Sequence, residues 1–272
     1  MAPQDFTFRA FAQQGFYRNL NARLVDMAGI TPGQRIVDLA CGTGAVTKLI
    51  LERLKSARES VVIGIDQSSI ALRQAIEELA NARESAIQFV QGKVEHLSQV
   101  IKESVDTIVF CNGIHYIEDK GSLLEEVQKT LKPGGVFAFN TSFFEGAHTP
   151  ESGQFYRRWM FKAIRDLKDN YGLMPVRSEK VESRKQLTPE QYEALLVQHG
   201  LRIQSKEIST VQVPLEGWLD ISQFEDFISG IMPGVPLDKA STSLKESVTK
   251  TFQELNISVV PRNWLHVVAI RV

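Results

Sequence analysis

Apolar residues follow two different periods along the first half of the chain. Short, nearly continuous apolar runs predict strands near residues 35–40, 61–66, 87–91, 105–111 and 135–141. Between them, apolar residues recur every three or four positions, which predicts helices near residues 14–28, 45–57, 69–82 and 122–131. Strands that alternate with helices are typical of a parallel sheet covered by helices on both faces.

Local signals mark where some of these elements begin and end. Ser122 and Glu125 have the spacing of a capping box, which predicts a helix start at Ser122. Thr188 and Gln191 have the same spacing and predict a further helix, which we expect to end at Gly200.

The second half of the chain breaks the alternation. Residues 143–186 are rich in aromatic side chains and predict an insertion into the sheet pattern. We expect a strand over residues 201–213, and a second insertion with an amphipathic helix over residues 214–261. The apolar run over residues 263–271 predicts the final strand.

The run Ile36-Val-Asp-Leu-Ala-Cys-Gly-Thr-Gly44 indicates a ligand site at the end of the first strand. Small residues let a ligand approach the backbone, and open α/β sheets bind ligands at this edge. The acid Asp38 disfavours a diphosphate at this place and suits a cationic ligand group. Thr47 stands where the dinucleotide fingerprint needs its third glycine, so a nicotinamide enzyme is the least favoured reading. Asp66, at the end of the second strand, suits ribose hydroxyls.

These motifs, together with Gly64-Ile-Asp66, Val105-Asp-Thr-Ile-Val-Phe110 and Leu131-Lys-Pro-Gly-Gly135, resemble those of the class I S-adenosylmethionine-dependent methyltransferases. The resemblance covers roughly residues 30–142. It implies a Rossmann-like, seven-stranded mixed sheet with helices on both faces and the last strand antiparallel beside the fifth. It also implies a partly helical lid, formed by the insertions after strands five and six.

The resemblance therefore divides the chain into five segments. A cofactor-binding core with an N-terminal helix is expected over 1–142, a lid insertion over 143–186, and a core helix with the sixth strand over 187–213. A second lid insertion is expected over 214–261, and the final core strand over 262–272.

The resemblance also implies which residues bind the cofactor, S-adenosyl-L-methionine, which leaves as S-adenosyl-L-homocysteine. The methionine part is expected beside Asp38, Ala40, Gly42 and Gly44, and the ribose and adenine beside Asp66, Gln67, Ser68, Lys93 and Val94. Lys93 departs from the family pattern, because an acid usually stands there to accept a hydrogen bond from the adenine amino group. Asn112 is expected to contact the cofactor after the fourth strand, and Arg18 to pair with its carboxylate or to lie on a solvated face.

The implied reaction is an in-line transfer of the sulfonium methyl group, which depends mainly on positioning. An acceptor that must lose a proton also needs a base. His115 follows the fourth strand and is our candidate base, because histidine titrates near neutral pH. Some small-molecule members of the family pair such a histidine with an N-terminal tyrosine, and Tyr17 is the candidate here. The alternative is that His115 only packs locally.

The aromatic insertions offer the main indication of an acceptor. Phe144, Tyr156, Trp159 and Trp218 are expected to line an apolar substrate pocket, although Phe155, Trp159 and Ala163 also share one helical face that favours simple packing. Residues 155–186 hold nine Lys or Arg against four Asp or Glu. Such a face is usually only solvated, but it also suits an acidic carrier protein.

Composition narrows the function classes further. The formal net charge of −1 argues against recruitment of nucleic acid or membranes. Two cysteines make no disulfide framework, and no H-E-x-x-H spacing is present, so we expect no metal. The N-terminal residues lack a signal-peptide pattern and no apolar run could span a bilayer, so we expect a cytoplasmic protein.

The sequence thus predicts a methyltransferase that acts on a small, largely apolar acceptor. A protein or RNA methyltransferase remains an alternative, as does a catalytically inactive S-adenosylmethionine-binding protein.

Overall fold

The computed structural model describes residues 6–54, 59–80, 82, 86–176 and 185–272. The chain folds into two compact units, each built from separate chain segments. The first, the sheet unit, comprises Tyr17–Ala147, Val181–Ser209 and Trp264–Val272. The second, the helical unit, comprises Met1–Phe16, His148–Lys180 and Thr210–Asn263.

The strands of the described residues are β1 (Arg35–Leu39), β2 (Val61–Asp66), β3 (Ala86–Gln91), β4 (Val105–Cys111), β5 (Leu131–Thr141), β6 (Leu201–Pro214) and β7 (Val259–Arg271). They form one sheet in the order β3-β2-β1-β4-β5-β7-β6. The pairs β1–β2, β1–β4, β2–β3 and β4–β5 are parallel, whereas β7 pairs with β5 in the antiparallel direction. The mixed, Rossmann-like sheet expected from the sequence is therefore confirmed.

The α-helices of the described residues are α1 (Arg9–Ala12), α2 (Gly15–Met27), α3 (Ala45–Leu54), α4 (Ser69–Glu78), α5 (Leu97–Val100), α6 (Lys120–Thr130), α7 (Pro150–Tyr171), α8 (Pro189–Gln198), α9 (Leu215–Ile221), α10 (Glu225–Ile231) and α11 (Leu237–Leu255). Short 3-10 helices cover Val94–His96 and Ile114–Tyr116. None of the helices in this part of the chain is long and apolar enough to cross a membrane.

Alternating strand residues cover both faces of the sheet, as the nearly continuous apolar runs require. Ile36 and Val62 pack with the apolar residues of α2 and α3 on one face. Val37 and Ile63 belong to the opposite cluster, which includes residues of α5, α6 and α8. Full burial of such a side chain contributes about 1.5–3 kcal/mol, so the two clusters hold the strand ends in a fixed arrangement.

The observed helix ends differ in places from the predicted ones. The helix expected to start at Ser122 starts at Lys120, because Asp119 is the N-cap and its carboxylate accepts the Ser122 N–H at 3.0 Å. The predicted Ser122 capping box is therefore wrong. The box at Thr188 is confirmed, since Thr188 and Gln191 bond each other's backbone N–H. Residues 55–57 of the helix predicted over 45–57 lie outside the described residues.

The two long helices of the helical unit, α7 and α11, pack through their apolar faces. Phe155, Trp159 and Ala163 on α7 are fully buried, as their helical spacing predicted. The indole Nε1–H of Trp159 donates to the carbonyl of Leu244 on α11 at 2.9 Å. The Ser243 hydroxyl donates to a carboxylate of α7 at 2.6 Å, so the helix pair has polar as well as apolar contacts.

Candidate active site

The strand order reverses between β1 and β4, and their carboxyl ends define the crevice where open α/β sheets bind ligands. The turn after β1 is made by residues with positive φ: Ala40 at 55°, Gly42 at 54° and Gly44 at 82°. A Cβ added to Gly42 would meet nothing within 4 Å, whereas one on Gly44 would lie 3.2 Å from Ala75 and Leu79. Gly42 thus leaves open space for a ligand, and Gly44 permits close packing against helix α4 and the residue after it.

Asp66 accepts hydrogen bonds both from this turn and from the turn that follows β2. Its carboxylate accepts the Gly42 N–H at 2.8 Å and the Ser68 N–H at 2.8 Å. The Ser68 side chain in turn caps α4, and the exposed Gln67 accepts a hydrogen bond from Gln91 through its carbonyl. A carboxylate has further lone pairs, so Asp66 retains acceptor capacity for two hydroxyl groups.

Asp38 is the buried acid of the site. Only 1% of it is exposed, and its carboxylate accepts the hydroxyl hydrogen of Thr47 at 2.6 Å. Burial, and to a smaller extent the charge of Asp66, raise the pKa of Asp38 to about 7, although the Thr47 bonds oppose this shift. Thr47, which excludes the dinucleotide fingerprint, is therefore the residue that orients the acid.

The predicted adenine residues lie after β3. Lys93 is exposed and precedes the 3-10 helix Val94–His96, whereas Val94 is buried. Their contacts with adenine stay predictions.

A row of amides lies at the ends of β4 and β5. Asn112 has a φ of 49°, and its N–H donates to the backbone and side-chain oxygens of Asn140 at 3.0 and 2.8 Å. The side-chain oxygen of Asn112 accepts from the Ser142 N–H and hydroxyl, and Asn140 donates to Asn21 at 2.9 Å. Sequence reasoning singled out Asn112 but missed Asn140 and Ser142, which bond it, and Asn21, which bonds Asn140.

His115 lies in the 3-10 helix after β4 and is half-buried. Its Nδ1 is 3.1 Å from the hydroxyl oxygen of Thr141, which also accepts the Phe143 N–H at 3.0 Å. The His115 ring lies 4.2 Å from the Tyr116 ring and 5.4 Å from the Phe143 ring. Thr141, which the sequence did not indicate, thereby helps to orient the imidazole through its Nδ1.

Tyr17 and Arg18 occupy contrasting places on α2. Tyr17 is buried, its hydroxyl bonds with Asn21, and burial is the main cause that raises its pKa far above the usual range. Arg18 is exposed and forms an ion pair with Glu52 at 2.7 Å. The charge of Tyr116, the neighbour of His115, contributes less to this rise in the pKa of Tyr17.

The four predicted acceptor residues are divided between the units. Phe144 is fully buried in the core of the sheet unit. Tyr156, Trp159 and Trp218 lie together in the helical unit, where the Tyr156 ring is 5.3 Å from that of Trp218 and 5.6 Å from that of Trp159. Trp159 and Phe144 have no exposed surface, so only Tyr156 and Trp218 retain any accessible area.

The basic face of α7 is largely paired within the helical unit. Glu254 on α11 binds Arg158 at 2.7 Å and also binds Lys162, while Arg165 pairs with Asp169 at 3.3 Å. Three of the basic side chains predicted to bind an acidic carrier protein therefore already pair with acidic residues of the chain itself. The basic residues of 177–184 lie outside the described residues.

Comparisons with known proteins identify the family of this chain. A family model described as a methyltransferase domain matches residues 30–200. A probable S-adenosylmethionine-dependent methyltransferase of Saccharomyces cerevisiae is 35% identical over 105 residues, covering 38% of this chain and 34% of that protein. A ubiquinone/menaquinone biosynthesis C-methyltransferase of Hydrogenovibrio crunogenus is 28% identical over 123 residues, covering 44% and 47%.

Among solved structures, a cyclopropane synthase of Mycobacterium tuberculosis has a TM-score of 0.60 at 14% identity, covering 99% of this chain and 95% of that one. This likeness concerns the fold. The alignments with the two curated relatives span about a third to a half of those proteins' lengths.

The family model covers more than half of the chain, so the chain belongs to the methyltransferase domain family. The class is that of the class I S-adenosylmethionine-dependent methyltransferases, as the motifs predicted.

The cofactor of this class fits the residues at the turn. Gly42 leaves open space where a side chain would obstruct a ligand. Asp38 supplies a buried carboxyl group for a cationic amino group, and Asp66 supplies acceptors for sugar hydroxyls.

Proposed function

We propose that this protein transfers the methyl group of S-adenosylmethionine to a small, largely apolar acceptor. The observation that carries the proposal is the turn at Gly42, which is open to a ligand and flanked by Asp38 and by the backbone-bound Asp66. The small-molecule acceptor is supported by the aromatic cluster of the helical unit and by the quinone-pathway name of one curated relative.

The bound cofactor supplies a methyl group on a positively charged sulfur, an electrophile that needs no further activation. Asp38 favours a cationic group, because a charge beside it stabilises the ionised carboxylate. Asp66 accepts hydroxyl hydrogens, and both of its oxygens are oriented by backbone N–H groups.

His115 removes a proton from the acceptor in this proposal. When the Thr141 oxygen accepts from Nδ1–H, the lone pair of His115 lies on Nε2 and faces away from Thr141. A base in a defined tautomer and orientation contributes roughly 100- to 10,000-fold to a proton transfer.

The test is incubation of the protein with methyl-labelled S-adenosylmethionine and an extract of its source cells. Label in the organic-soluble fraction supports the proposal, and label on protein or RNA contradicts the small acceptor. Binding of the cofactor without any label transfer contradicts the transferase activity. The Gly42→Val protein, incubated in parallel, gives the background due to enzymes of the extract.

A further inference from the structure

His148 and Arg262 lie opposite each other in the helical unit. They form an antiparallel bridge, so their side chains project from the same face. The Nη1 atom of Arg262 lies 3.0 Å from both ring nitrogens of His148. Only 6% of Arg262 is exposed, so this guanidinium is buried.

The ring of Tyr156 joins these two side chains to an aromatic cluster. It lies 4.7 Å from the His148 ring at an interplanar angle of 85°, and 5.4 Å from the guanidinium carbon of Arg262. A guanidinium within about 6 Å of an aromatic centroid is attracted by the ring. The Trp218 ring lies 5.3 Å from the Tyr156 ring, also at an interplanar angle of 85°.

Trp218 contributes a buried hydrogen-bond donor to the cluster. It is 4% exposed, and its Nε1–H has no hydrogen-bond partner among the described residues. Trp159, in the same cluster, donates its Nε1–H to the Leu244 carbonyl. A buried polar group left without a partner costs about 1–3 kcal/mol, so an acceptor group on a ligand would remove this penalty at Trp218.

The cluster is positive in character. Burial, and then the charge of Arg262, lower the pKa of His148 to about 4, so the imidazole is neutral at pH 7. Burial lowers the pKa of Arg262, and Tyr156 opposes this shift only in part. An anion placed here would stabilise the guanidinium charge.

Resting on the proposed function, we propose that Arg262, Trp218 and Tyr156 bind a carboxylate group of the methyl acceptor. The planar guanidinium matches a carboxylate through two parallel hydrogen bonds, and the aromatic rings suit an apolar or aromatic body next to that group. The acceptor class is thus a small organic acid with an apolar body.

Titration of the full chain, labelled with ¹⁵N at its tryptophans, with sodium benzoate tests the site. Benzamide at matched ionic strength is the neutral control. We expect benzoate to shift the Trp218 indole N–H resonance in a saturable way, because a carboxylate oxygen accepts from this donor. The Trp159 resonance should stay in place, and the spectra of Trp218→Phe and Trp159→Phe assign these two of the three indole signals. Benzamide should bind at least tenfold more weakly.

Arg262→Gln should weaken benzoate binding at least tenfold, whereas Arg158→Gln, the same change at an exposed arginine of the helical unit, should leave it unchanged. His148 gives a second readout, because a bound carboxylate raises its pKa. Equal binding of benzoate and benzamide, no shift with benzoate, or full benzoate affinity in Arg262→Gln overturns the proposal. Tighter binding of phenyl phosphate overturns the assignment to a carboxylate.

Calorimetry with S-adenosylmethionine separates this inference from the proposed function. Arg262→Gln should bind the cofactor as wild type does, which also shows that the variant is folded. If wild type neither binds S-adenosylmethionine nor transfers labelled methyl groups, the proposed function fails, whether or not benzoate binds. If labelled methyl groups reach only uncharged small molecules, the function stands and the carboxylate site is refuted.

Discussion

The two units satisfy their buried polar groups in different ways. At the strand ends of the sheet unit, Asp38 is held by Thr47 and Asn140 by Asn21, before any ligand enters. In the helical unit, the Trp218 indole N–H has no acceptor among the described residues, and the surroundings of Arg262 disfavour its charge. The predicted site of the sheet unit is therefore held by internal hydrogen bonds, whereas the helical unit keeps a buried donor that none of the described residues accepts from.

The largest effect is expected from a substitution that obstructs the predicted cofactor site of the sheet unit. Gly42→Val should weaken S-adenosylmethionine binding by about 1,000-fold or more, which is about 4 kcal/mol, because its side chain enters the open space. Valine at positive φ also strains the backbone. Gly29→Val is the matched control, since Gly29 has a φ of 65° and open space around it. Micromolar cofactor binding by Gly42→Val in calorimetry would refute the site.

The second prediction concerns the loss of folding stability caused by ionisation of the buried Asp38. The folded pKa of Asp38 is about 7, well above its value in an unfolded chain. The native carboxyl group thus keeps its proton to higher pH, and the free energy of unfolding falls as the pH rises from about 4 to about 7.

The Asp38→Asn substitution removes this pH dependence, and the amide oxygen of the new side chain still accepts the hydroxyl hydrogen of Thr47. We expect it to be more stable than wild type by roughly 2–4 kcal/mol above pH 7 and equal to it near pH 3.5. Its S-adenosylmethionine affinity should fall at least about tenfold, the loss of one charged interaction. Urea denaturation across this pH range gives the first quantity, and calorimetry gives the second. A pH-independent stability difference would contradict the raised pKa.

The third prediction separates the base from its orienting residue. His115→Ala should lower kcat at saturating cofactor by about 100-fold. Thr141→Val should lower it by about tenfold, since the imidazole loses its orienting hydroxyl, and Thr141→Ser should restore most of the rate. Cofactor affinity should be unchanged in all three variants. A loss below tenfold in His115→Ala would exclude the base role.

The smallest effect compares two tryptophans of the helical unit. Trp159→Phe and Trp218→Phe remove the same volume, but only Trp159 loses a hydrogen bond to a protein acceptor. Trp159→Phe should therefore be less stable than Trp218→Phe by about 1 kcal/mol in urea denaturation. Equal losses would show that the Trp218 N–H is as well satisfied as that of Trp159.

The sequence predicted most of the sheet unit because its signals are local. The acid, the turn and the following helix occupy one continuous run, and Asp66 follows directly from the next strand. The residues that orient this site are different. His115 and Thr141 are 26 positions apart, and Asn140 and Asn21 are 119 apart, so only the register of the folded chain brings them together.

The helical unit was predictable only in its helical faces. Phe155, Trp159 and Ala163 showed their shared face through their spacing. The partnership of His148 with Arg262 joins residues 114 positions apart, and neither carried a motif. The sequence grouped Phe144 with the acceptor residues because it is aromatic, but Phe144 lies in the core of the sheet unit. Aromatic composition alone does not distinguish packing from ligand recognition.

The backbone crosses between the two units five times, because each unit is built from three segments. The helical unit is therefore not a cassette that can be excised or grafted at one pair of junctions. A chimaera that borrowed it from a relative would need every junction to match at once. Engineering of the helical unit should accordingly proceed by side-chain replacement on the existing segments, and a library directed at a single segment would sample only part of this unit.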